Sequence, residues 1–76
     1  MIPTLIEIDG IQVRMYFNDH NPPHVHVIAG GNAAKLAISD GTVFAGSVSP
    51  RAERRARAWI FENQDFLFAK WEEFHE

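Results

Sequence analysis

The spacing of apolar residues divides the chain in two. Up to Gly46 they occur in short runs: Thr4 to Ile8, Ile11 to Phe17, His24 to Ala29, Ala33 to Ile38 and Thr42 to Gly46. Turn-forming groups separate these runs: Asp9-Gly10, Asn21-Pro22-Pro23, Gly30-Gly31-Asn32 and Asp40-Gly41. Short runs punctuated in this way read as strands. Links this short favour antiparallel neighbours, because a parallel pair needs a long crossover. From Ser49 the period lengthens. Ser49-Pro50 has the form of an N-cap with proline at the first helical position. Ala52, Ala56, Trp59 and Ile60 then recur at helical spacing, and Leu67, Trp71 and Phe74 repeat it, with Phe68 at the margin. Asn63 suits the end of the first helix or the cap of the second. The pattern predicts an α+β fold. It consists of an antiparallel β-meander of four to five short strands followed by two short helices packed on one sheet face. One domain, residues 1–76, is expected, with the meander in 1–48 and the helices in 49–76.

Strand alternation also sorts the chemistry. On the second run Ile11, Val13, Met15 and Phe17 share one face, and Gln12, Arg14, Tyr16 and Asn18 the other. On the third, Val25 and Val27 lie opposite His24 and His26. Pairing these runs with their apolar faces toward the helices gathers Arg14, Tyr16, His24 and His26 on the far side. Leu36 and Ile38 point inward on the fourth run, so Lys35 adds a cation to the same far face. Asp19 and His20 hang at the end of the hairpin, in a loop stiffened by Pro22-Pro23.

Three chemistries fit this cluster. His-x-His on a strand sets two imidazoles about 7 Å apart at the backbone. With His20 and Asp19 they supply a ligand set for zinc, nickel or copper. Alternatively, two imidazoles that titrate near neutrality act as general base and general acid. Arg14 or Lys35 would then hold a phosphate and Tyr16 would stack a base, a set suited to RNA cleavage by His20, His24 and His26. The third chemistry is binding alone, since a face of Tyr, Arg and His seats a protein partner or stacked bases. Against all three stands a plain structural reading, in which the strand histidines pack on Tyr16 and hydrogen-bond the hairpin.

The first helix carries Arg51, Arg54, Arg55 and Arg57 on the side away from its apolar stripe, with Phe61 inside the basic arc. Arginine near a helix N-terminus opposes the dipole by about 0.3–1 kcal/mol. Contact with a phosphate or an acidic partner would explain that cost. A solvated face partly neutralised by Glu53, Glu62, Glu72, Glu73 and Glu76 is the favoured explanation. Phe61 is expected between the helices, and an exposed Phe61 would strengthen the partner reading.

Bulk properties narrow the choice. A chain of 76 residues has a thin stability margin, which makes homo-oligomerisation attractive. It contains no cysteine, so no disulfide framework or thiolate zinc site reinforces it. The 46% hydrophobic content, with six Phe and two Trp, is enough for an apolar core. The net charge of -3 disfavours nucleic-acid binding by bulk charge and leaves only a local Arg, Tyr and His surface for it. The start Met1-Ile2-Pro3-Thr4 has no basic region or long apolar run, and no stretch is long enough for a membrane span. A cytoplasmic location without a membrane partner is the resulting expectation.

The run Val13-Arg14-Met15-Tyr16-Phe17-Asn18-Asp19-His20-Asn21-Pro22-Pro23-His24-Val25-His26-Val27 closely resembles the signature R-x-Y-F-x-D-H-x-P-P-H-x-H. That signature belongs to a family of small bacterial proteins known only as a domain of unknown function. The similarity extends over nearly the whole chain, through the Ser/Pro-started arginine helix to the Trp-containing closing helix. The resemblance implies a compact module encoded beside another small protein, as in a toxin–antitoxin-like pair, and brings no reaction, cofactor or catalytic residue. It marks Arg14, Tyr16, Phe17, Asp19, His20, Pro22, Pro23, His24 and His26 as signature positions. The leading expectation is therefore a binding or regulatory module with a small protein partner or a second copy of itself. The alternative is a ribonuclease-like or metal-dependent hydrolase using His20, His24 and His26.

Overall fold

A computed structural model describes residues 4–17 and 19–74. The expectations placed on Asn18, on the first three residues and on Glu76 lie outside the described residues. Five strands form one sheet in chain order: β1 (Thr4–Ile8), β2 (Ile11–Arg14), β3 (His24–Ala29), β4 (Asn32–Ala37) and β5 (Val43–Gly46). All neighbours are antiparallel. Two helices follow, α1 (Pro50–Glu62) and α2 (Gln64–Phe74). The fold is the α+β meander with two closing helices that the periodicity predicts.

One sheet face and the helical stripes make the core. Val13, Val25, Val27 and Leu36 of the strands meet Ala56 and Ile60 of α1 and Leu67 of α2, all fully buried. Burying a Val, Leu or Ile side chain contributes roughly 1.5–3 kcal/mol. Ser49 caps α1, its Oγ accepting the Ala52 N–H at 3.1 Å. Asn63 serves both helices: its N–H donates to the Ile60 carbonyl, and its own carbonyl accepts from the Leu67 N–H. Gln64 Nε2 donates to the Ile38 and Ser39 carbonyls at 3.0 Å, tying α2 to the end of β4.

The structure differs from the sequence reading at four places. The second strand ends at Arg14, where its ladder with β1 and β3 stops, and not at Phe17. Met15 stays buried, but without a ladder alternation no longer fixes Phe17, which is 55% exposed and stacks on Phe74 at 4.4 Å. The fifth strand starts at Val43, because Asp40 Oδ1 captures both the N–H and the hydroxyl of Thr42 in a turn. The fourth runs Asn32–Ala37, and Ile38 is buried beyond its end. Phe61 is 51% exposed and does not sit between the helices. Ile60 takes the inward position, and a step of about 100° carries Phe61 outward. Among the described residues no helix is long and apolar enough to cross a membrane.

Candidate functional site

The second sheet face carries a cross-strand row. Arg14 of β2 pairs with His26 of β3, and His26 pairs with Lys35 of β4. Directly opposed residues on one face bring their side chains together. Arg14, His26 and Lys35 are thus neighbours because alternation and register agree. His26 and Lys35 line a shallow concavity floored by Ala33, Ala34, Ala45 and Gly46. The Tyr16 ring meets the His26 ring edge-on, 4.4 Å between centroids at 71°.

Asp19 returns from the loop to this face. Its Oδ2 lies 2.7 Å from His26 Nε2 and 3.2 Å from His24 Nε2. The His26 contact is a hydrogen bond. Burial raises the Asp19 carboxyl, but the His26 hydrogen bond and the charges of His24, His26 and Lys35 outweigh it and hold the group below the ordinary carboxylate range. One ligand atom from each of Asp19, His24 and His26 falls within 4.8 Å of the others.

His24 is the unusual member, a histidine only 2% exposed. Its ring is walled by Phe44 of β5 at 5.2 Å and Trp71 of α2 at 5.3 Å, with the His26 ring at 5.1 Å. Its Nδ1 lies 2.7 Å from the Pro22 carbonyl oxygen. A carbonyl only accepts, so Nδ1 is the protonated nitrogen. In the neutral ring Nε2 then carries a lone pair aimed at the Asp19 carboxylate. That Nε2 is buried and, among the described residues, has no hydrogen-bond partner.

Arg14 presents a second such atom. Its terminal nitrogen donates to Gln12 Oε1, and Gln12 in turn donates to Glu7, but its Nε is buried without a hydrogen-bond partner among the described residues. A buried polar atom left unsatisfied costs roughly 1–3 kcal/mol.

The remaining sequence candidates lie apart from this group. His20 is exposed and is not among the converging ligand atoms. Arg51, Arg54 and Arg55 are exposed on α1. Arg55 Nε donates to Asp9 at 3.1 Å. Arg57 bonds Glu53 and the Gly41 carbonyl, clamping α1 to the turn before β5. Arg55 and Arg57 of the arginine cluster therefore have structural partners among the described residues. The sequence reading missed Phe44 and Trp71 as walls of His24, and the Pro22 carbonyl as its acceptor. Helical spacing marked Trp71 as buried, and nothing in the pattern tied it to a histidine.

No curated protein and no solved structure matches the chain. The model of one family, the domain of unknown function DUF4160, matches residues 10–72, a span that contains β2 to β5, α1, most of α2 and every residue of the Asp19–His24–His26 group. The chain belongs to the DUF4160 family.

Proposed function

We propose that the protein is a small binding or regulatory module that works through the face bearing Arg14, Tyr16, His26 and Lys35. Its partner is a small protein that presents an acidic group there, as in a toxin–antitoxin-type pair of the bacterial cytoplasm. The observation that carries this reading is the Arg14–His26–Lys35 row, which sets a cation on either side of a histidine on one sheet face. An anionic group on a partner would be drawn to the Arg14 and Lys35 charges of this row, and charge-assisted hydrogen bonds are the stronger kind. Tyr16 beside His26 adds the aromatic contact common at interface centres.

Co-purification with the product of the neighbouring gene tests this. Arg14→Gln with Lys35→Gln leaves the core untouched, and complex formation should weaken at least about tenfold. An unchanged complex removes the face from consideration.

A second reading has its own observation. The 2.7 Å contact between His26 Nε2 and Asp19 Oδ2 is the arrangement of a catalytic base and its orienting carboxylate. It favours the ribonuclease-like or hydrolytic alternative, with His20 exposed on the same loop. RNA cleavage would be measured with and without chelator. Cleavage that survives loss of His20, His24 and His26 together, or no cleavage in either condition, refutes it.

A further inference from the structure

We propose that Asp19 Oδ2, His24 Nε2 and His26 Nε2 are the three protein ligands of a divalent transition-metal ion of the zinc class. This goes beyond the partner reading and does not depend on it. The carrying observation is the His24 ring. Its Nδ1 is committed to the Pro22 carbonyl at 2.7 Å, so its Nε2 lone pair faces a carboxylate oxygen 3.2 Å away inside a wall of Phe44 and Trp71. Two lone pairs aimed at each other at that range repel. A cation between them turns the repulsion into two bonds.

A proton is one candidate for that cation. It would make a buried imidazolium paired with the Asp19 carboxylate, and it would serve only that pair. A metal ion takes the lone pairs of all three groups together. Two imidazoles and one carboxylate form an established catalytic zinc set that leaves a fourth position open.

The distances agree with this. In a tetrahedral site with bonds near 2.0–2.1 Å, ligand atoms lie about 3.3 Å apart. The Asp19–His24 separation is already 3.2 Å, the 2.7 Å contact to His26 lengthens by about half an ångström once a metal replaces its proton, and the two imidazole nitrogens, within 4.8 Å of each other, close on the ion as it binds. The Pro22 carbonyl on His24 Nδ1 is the outer-shell acceptor that typically fixes the tautomer of a metal-ligating histidine. Arg14 and Lys35 flank His26 and would hold an anion at the open position.

The test uses the full chain, stripped with chelator and titrated with zinc against a chromophoric competitor. One zinc per chain is expected. Asp19→Asn and His26→Gln should each weaken binding by about a hundredfold or more, since loss of an outer-shell partner alone costs about 10–100-fold. His20→Ala should bind like the native chain. Circular dichroism in chelator checks the fold of each variant. If His26→Gln does not fold, Asp19→Asn decides, because it keeps the shape of the side chain. Imidazole nitrogen NMR gives an independent readout, with zinc shifting His24 Nε2 while Nδ1 keeps its proton. Absence of stoichiometric zinc, native affinity in Asp19→Asn, or a zinc shift confined to His20 would overturn the proposal.

Discussion

The two faces of this sheet are built from the same strands and obey different rules. On the helix side Val13 opposes Val27, and Val25 opposes Leu36, all fully buried. Hydrophobic burial accounts for each of them. On the other side Arg14, His26 and Lys35 share a register row, with Asp19 and His24 beside it. Among the described residues the Arg14 Nε there is buried without a hydrogen-bond partner, and the buried His24 Nε2 makes no hydrogen bond and faces the Asp19 carboxylate at 3.2 Å. Packing alone would be served better by apolar residues at those positions. The first face explains why the chain folds, and the second holds polar capacity that folding does not use.

The comparison breaks most visibly in the core. Leu36→Ala should lower stability by about 2–5 kcal/mol in urea denaturation, as large-to-small substitutions in tight cores do. His24, equally buried, should behave differently. His24→Phe loses the bond to the Pro22 carbonyl, worth about 0.5–1.5 kcal/mol, and the 3.2 Å contact with Asp19, but removes a buried nitrogen that makes no hydrogen bond among the described residues, a burial that costs about 1–3 kcal/mol. Its urea midpoint should correspond to a change within about 1 kcal/mol of native in either direction. A loss as large as that of Leu36→Ala would make His24 a core residue like any other.

Acid titration sharpens the contrast further. The Asp19 carboxyl is held below its ordinary range in the folded chain. Its contribution to stability is therefore complete at pH values above the unfolded carboxylate value, about 3.9, and is lost as pH falls through the lower folded value. In chelator-treated protein Asp19→Asn should lose less stability on acidification than the native chain. Equal losses would show that the carboxylate gains nothing from its histidines. The smallest effect belongs to the surface. The Arg55–Asp9 pair is about half exposed at both ends. Arg55→Ala should change stability by less than about 1 kcal/mol in the same denaturation assay.

Much of the polar face was legible because period-two alternation and register are properties of sequence. They assigned Arg14, His26 and Lys35 to one side and Val25, Val27 and Leu36 to the other, as observed. Alternation stopped informing where the ladder stopped, so Met15 was placed correctly and Phe17 was not. The loop was harder still. Both Asp19 and His20 were candidate partners for the strand histidines, and only Asp19 converges with them. Chain direction in a non-periodic loop is set by contacts such as the Ile38 N–H donating to the Pro23 carbonyl at 3.0 Å, which leave no mark in composition. The enclosure of His24 was hidden for a related reason. Helical spacing reports that Trp71 is buried, and the bulge in the β4–β5 pairing that accompanies Phe44 has no sequence period.

If the polar face serves a ligand or partner and not the fold, stability and binding separate in a single variant. The most direct measurement is a paired one on Arg14→Gln with Lys35→Gln, comparing urea stability with affinity for the neighbouring gene product. The expected result is stability within about 1 kcal/mol of native, the scale of partly exposed polar contacts, with complex formation weakened at least about tenfold. A variant that unfolds, or one that binds as the native chain does, would contradict it.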